Sequence, residues 1–155
     1  VAASVTSSAA ELDAQGLAAN AFDICLSNPP FHDTQAGTLA RDSLKAASHA
    51  MAQDTLDAWA RFMARMVKQG GRATVIHKAD ALPRLLAAMG SRFGDLSVFP
   101  VYPRAGESAI RVIVSGLKGS RAPLKLKSGL VLHGDGQAFT TAANAILRHG
   151  ASLEI

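Results

Sequence analysis

Six residues, Phe22–Ser27 (FDICLS), make a compact, mostly apolar run that stops at Asn28-Pro29-Pro30. Two successive prolines cannot donate to a ladder, so a strand over 22–27 must end there. A short apolar run with a hard stop predicts a strand buried on both faces, as parallel strands inside an α/β sheet are. Such a strand delivers Asn28 to the carboxyl edge of the sheet, where open α/β folds bind ligands.

The downstream pattern supplies the rest of such a layer. Leu56, Trp59, Ala60, Met63, Met66 and Val67 recur at helical spacing, with Asp54, Asp57, Arg61, Arg65 and Lys68 opposite them. Gly70-Gly71 is expected to stop this helix, and Trp59 reads as a core residue. Residues 72–78 (RATVIHK) read as a strand, followed by a helix with Asp80 as N-cap and Pro83 in its first turn. That helix is expected to bury Leu82, Leu85, Leu86 and Met89. Residues 96–102 and 109–117 read as strands whose short connection suits an antiparallel hairpin. A basic connector over 118–127, a short strand near Leu130–His133 and a helix over about 140–148 complete the chain. In the lead-in, residues 1–21, Leu12, Gly16 and Leu17 suit a short helix and its exit loop. The order strand, helix, strand, helix, strand, strand predicts an α/β fold, the second half of a doubly wound sheet ending in an antiparallel hairpin.

Composition narrows the class. With 48% apolar and 18% charged residues among 155, a disordered chain is excluded. Charged residues or glycines break every apolar run well short of the roughly 20 residues a membrane span needs. Residues 1–10 lack the basic and apolar regions of a signal peptide. The single cysteine, Cys25, forms no internal disulfide and suits a reducing compartment, so a soluble cytoplasmic protein is expected. The net charge of +4 lies wholly in residues 100–155, where Arg104, Arg111, Lys118, Arg121, Lys125, Lys127 and Arg148 face only Glu107, Asp135 and Glu154. A polyanionic partner at that end is one reading, and a solvated basic surface is the other.

Chemistry concentrates at Asn28-Pro29-Pro30-Phe31. The Asn28 amide oxygen and the Pro29 carbonyl are two acceptors that can converge on a planar amino group with two hydrogens. Accepting those hydrogens keeps the nitrogen lone pair aimed at an electrophile without a strong base. Phe31 offers an aromatic face for a planar base or amide. Without a ligand, the same residues make a strand-ending turn with a buried Phe. The histidines at 32, 49, 77, 133 and 149 are too dispersed for metal-ligand spacing, so no metal is expected. Cys25 reads as a small core residue, and no Gly-x-Ser-x-Gly elbow anchors a hydrolase triad.

Asn28-Pro29-Pro30-Phe31 resembles the Asn/Asp-Pro-Pro-aromatic motif of class-I S-adenosylmethionine-dependent amino-group methyltransferases. Within that group the chain is most similar to bacterial tRNA (adenine-N6)-methyltransferases. The added likeness lies in Arg111-Val112-Ile113-Val114, Lys118-Gly119, and Leu130-Val131-Leu132-His133 ahead of Phe139-Thr140. The resemblance covers about residues 22–150 and implies a Rossmann-like sheet, S-adenosylmethionine as cofactor and RNA, in particular tRNA, as partner. It implies that Asn28 and Pro29 accept hydrogen bonds from the target amine, with Asn28 also next to the cofactor. Phe31 stacks on the base, Pro30 shapes the substrate site, and Asp33 opens a segment over the substrate. Lys118, Arg121, Lys125 and Lys127 are assigned to substrate phosphates. The family's glycine-rich loop and the acidic residue after its second strand are missing, and Gly70-Gly71 sits after a helix, the wrong place for such a loop. Residues 1–155 are therefore expected to be the C-terminal portion of one methyltransferase domain: 1–21 a lead-in, 22–117 sheet and helices, 118–155 connector, strand and helix. Methylation of a protein glutamine amide, and a non-catalytic RNA-binding remnant, are the alternatives.

Overall fold

The computed structural model describes residues 7–29 and 43–155, and for residues 43–54 only the helical backbone. The elements run α1 (Ala9–Ala14), β1 (Phe22–Ser27), α2 (Ser43–Met66), β2 (Val67–Lys78), a 3-10 turn (Ala79–Ala81) and α3 (Leu82–Gly90). They continue with β3 (Phe93–Arg104), β4 (Arg111–Lys118), β5 (Lys125–Leu126), β6 (Leu130–His133) and α4 (Thr141–His149). Among the described residues the strands form one open sheet in the order β1-β2-β4-β3, with β5 and β6 both on the outer side of β3. β1 is parallel to β2, β4 is antiparallel to both β2 and β3, and β5 and β6 are parallel to β3. Only β4 is reversed, so the other five strands share one carboxyl edge. The expected α/β sheet and terminal hairpin are both present.

α2 and α3 cover one face. Val75, Val114 and Val98 are cross-strand neighbours on that face and are buried with Met63, Leu85 and Met89. Burying each such side chain contributes about 1.5–3 kcal/mol. Cys25 packs against this cluster, as expected of a small core residue. Leu85 and Met89 of α3 are buried, while Leu82 and Leu86 are only partly covered.

Four local expectations are corrected. β1 is not buried on both faces: Ile24 is 65% and Leu26 74% exposed, because the helices cover only the face that Cys25 shares. α2 is not stopped by Gly70-Gly71, since β2 begins at Val67 directly after Met66. The orphan carbonyls of the last helical turn find tertiary partners instead. Asn20 N donates to Arg65 O at 2.8 Å, and Ala21 N to Met66 O at 3.0 Å. The glycines sit in a bulge of β2, where residues 68–71 oppose Asp23 alone between the pairs Phe22–Val67 and Ile24–Arg72. A Cβ on Gly71 would lie 2.8 Å from Asp23 O and 2.5 Å from Val67 Cγ1, so only glycine fits. Asp80 falls inside the 3-10 turn, and α3 starts from Ala81 without a side-chain cap, although Pro83 does occupy its first turn. Trp59 is half-buried rather than core.

The C-terminal helix forms as its sequence predicts. Thr140 Oγ1 accepts from Ala143 N at 3.1 Å and donates to Val131 O at 2.8 Å, which caps α4 and ties it to β6. No helix among the described residues is long and apolar enough to cross a membrane.

Candidate active site at the carboxyl edge of the sheet

Ser27, the last residue of β1, pairs with Val75, and Asn28 and Pro29 follow beside the last residues of the parallel strand β2. Asn28 is exposed and Pro29 is buried. The proline is anchored in the protein while Asn28 next to it is open to solvent at the carboxyl edge. The hydroxyl of Ser27 is buried, with no hydrogen-bond partner among the described residues. Pro30, Phe31 and Asp33 lie outside the described residues, as does the side chain of His49. The carboxyl edge thus holds the acceptor part of the expected site, Asn28 and Pro29.

Two ionisable groups sit under this edge. His77 is buried, and burial, followed by the nearby Arg84 charge, pushes its pKa below the ordinary 6.5. Burial thus favours the neutral imidazole. Burial raises the Cys25 thiol, which disfavours the thiolate and suits packing rather than nucleophilic attack. Among the described residues no three His, Cys, Asp or Glu side chains gather as a metal site requires.

The basic residues assigned to phosphates from the sequence are placed differently. β4 starts with Arg111 opposite Lys78, the last residue of β2, and ends with Lys118 opposite Phe93, the first residue of β3. Lys118 therefore lies at the amino edge, about 24 Å along the strand from Arg111 at roughly 3.4 Å per residue. Its Nζ donates to Ala64 O at 2.5 Å, Asn20 Oδ1 at 2.7 Å and Val67 O at 2.9 Å, which makes it the cap of α2. Lys125 Nζ is held by Asp95 Oδ1 at 2.6 Å, a contact that also lowers the Asp95 pKa. Arg121 is exposed, and Lys127 follows β5 on the outer side of β3, its N–H bonded to Val98 O. The four residues are not one phosphate-facing set, because Lys118 and Lys125 are engaged within the protein. The carboxyl edge instead carries Lys78, Arg104, Arg111 and His133; Arg104 and Arg111 belong to the basic surplus read from the sequence, whereas Lys78 and His133 were given no role there. For Lys78 and Arg111 the signal was available: one ends a strand and the other begins one, and only the strand directions were needed to place them opposite each other.

No protein-family model matches this sequence, and no match was found among curated proteins. Solved structures do match. The chain aligns with a predicted O-methyltransferase from Agrobacterium tumefaciens at 28% identity and a TM-score of 0.77, over 97% of this chain and 62% of that protein. The fold is that of a Rossmann-like class-I methyltransferase. A candidate DNA modification methylase from Thermus thermophilus aligns at 14% identity and a TM-score of 0.51, over 73% of this chain and 52% of that one. The chain therefore spans less than two thirds of the length of either protein.

Proposed function

We propose that this protein transfers a methyl group from S-adenosylmethionine to an exocyclic amino group, adenine N6 in structured RNA and in particular tRNA. The observation that carries this reading is the exposed Asn28 amide beside a buried Pro29 at the carboxyl edge. There the Asn28 oxygen and the Pro29 carbonyl accept the two hydrogens of the amine, holding its lone pair toward the methyl donor. That orientation is worth most at the transition state, where the nitrogen begins to form its new bond. Phe31 supplies the stacking face, and Pro30 and Asp33 shape the substrate side.

The cofactor supplies an electrophilic methyl group. The described residues fit the amine side of that reaction and not the cofactor cradle, since Gly70 and Gly71 lie in the β2 bulge at the amino end of the strand. The uncovered face of β1, with Ile24 and Leu26 exposed, supports a larger domain of which residues 1–155 are the C-terminal portion. In that arrangement the cradle belongs to strands and helices added beside β1.

The test is incubation of full-length protein with labelled S-adenosylmethionine and either total RNA or total protein, followed by identification of the labelled product. Label in N6-methyladenosine is the expected result. Label on a glutamine amide moves the assignment to a protein substrate, and label on an oxygen removes the amine assignment. No transfer combined with RNA binding identifies a non-catalytic RNA-binding protein.

A further inference from the structure

We infer that His77 is a positioning residue for methyl transfer: its ring seats Pro29 from the covered side of the sheet and so aims the Pro29 carbonyl at the target amine. This rests on the amine reading above and adds a residue to it. β1 and β2 run parallel, with Cys25 level with Ala73 and Ser27 level with Val75. Two residues further along each strand, Pro29 comes level with His77. Ala73 and Val75 belong to the core cluster under α2 and α3, and alternation puts His77 on that same face. Pro29 is fully buried, and at β1 the opposite face is open, as Ile24 and Leu26 show. The proline ring therefore lies on the covered face with His77.

The seat matters because of what a proline leaves free. Its ring fixes φ, but ψ turns the carbonyl. Pro30, next in the sequence, confines the ψ of Pro29 to roughly +120° to +160°. That range still swings the carbonyl by about 40°, against the roughly 10–20° that a positioned reacting group tolerates. What packs against the ring settles the rest.

The corner is dry: His77 is 6% exposed, and the Ser27 hydroxyl on the same face is buried as well. Among the described residues, the charged groups acting on His77 are Arg84 of α3, Asp80 of the 3-10 turn and Lys78, next in β2. β4 sets Val112 opposite it, and β1 contributes Ser27 and, further back, the Cys25 thiol. Burial is the largest influence and opposes a charge on the ring, as do Arg84 and Lys78, while Asp80 and a hydrogen bond with the Lys78 backbone favour one. A proton on the ring draws water into the corner and unseats the proline. Transfer should then fail as pH falls through the His77 pKa, below the ordinary 6.5.

The test compares full-length wild type with His77→Ala, His77→Phe and Pro29→Gly. Methyl transfer is followed from about pH 5 to pH 8 at saturating cofactor, and the His77 imidazole is titrated by NMR without substrate. His77→Ala should lower kcat about ten- to hundredfold at pH 7.5, with the KM of the methyl acceptor and the Kd of the cofactor within about threefold of wild type. His77→Phe, which keeps a ring and cannot be charged, should restore kcat to within about threefold and abolish the acid limb of the profile. In wild type that limb should coincide with the imidazole titration. Pro29→Gly should raise the titration toward 6.5 as the ring loses its cover. Wild-type kcat in His77→Ala, an acid limb that persists in His77→Phe, or a titration that Pro29→Gly does not move overturns the proposal. If His77→Phe fails to fold, the coincidence of limb and titration and the Pro29→Gly shift decide. Absence of methyl transfer in wild type removes the amine reading; the Pro29→Gly shift then keeps the seat, and no shift removes both.

Discussion

The ammonium group of Lys118 lies 2.5 Å from the carbonyl oxygen of Ala64, in the last turn of a helix more than fifty positions earlier in the chain. A cation there meets the negative end of the helix dipole and satisfies carbonyls that have no partner inside α2. Lys118→Met should therefore destabilise the protein by about 1.5–3 kcal/mol, the range for hydrogen bonds to a charged group. Denaturant unfolding measures the loss, and the salt slope of RNA binding should not move. A lower slope with unchanged stability would return Lys118 to the phosphate-binding surface.

His77 sets a pH dependence with a definite sign. Its folded pKa lies below the ordinary 6.5, so the unfolded chain takes up a proton first as pH falls. Its contribution to stability is complete above 6.5 and is lost as pH drops through that value toward the folded pKa. Urea unfolding at pH 7.5 and pH 5.5 should show a smaller loss for His77→Gln than for wild type. Equal losses in the two proteins would assign the dependence to other groups.

Asn28→Ala should reduce methyl transfer by about 3–4 kcal/mol in transition-state stabilisation, by analogy with the loss of an oriented hydrogen-bonding group from an active site. Because Asn28 is exposed, the melting temperature should hold and cofactor affinity should change only a few-fold. Turnover above a tenth of wild type would remove Asn28 from the reaction.

Leu26 reports on the uncovered face of β1. In full-length protein Leu26→Ala should cost about 2–5 kcal/mol if further elements bury it, against less than about 0.5 kcal/mol for an exposed leucine. The smaller value would mean that this face stays open to solvent.

Local patterns in the sequence determined the elements and their order. The strand ended at the prolines, the hairpin of β3 and β4, and α4 were legible because alternation and prolines act within a few residues. Asn28 was legible for the same reason, since a strand end in an α/β sheet fixes where the next residue goes.

Tertiary structure decided what lies next to what. Gly70-Gly71 reads locally as a helix stop, yet α2 ends earlier, because Asn20, Ala21 and Lys118 bring distant donors to its last carbonyls. β1 reads as fully buried, yet burial depends on which layers cover the sheet, and α2 and α3 cover only one face. The basic residues of the C-terminal third read as one group, yet β4 enters the sheet reversed between β2 and β3 and carries Arg111 and Lys118 to opposite edges. Strand direction is set by which neighbours satisfy backbone hydrogen bonds across the whole sheet. No window of sequence contains that choice, and it is the choice that separates the lysine capping a helix from the arginine at the carboxyl edge.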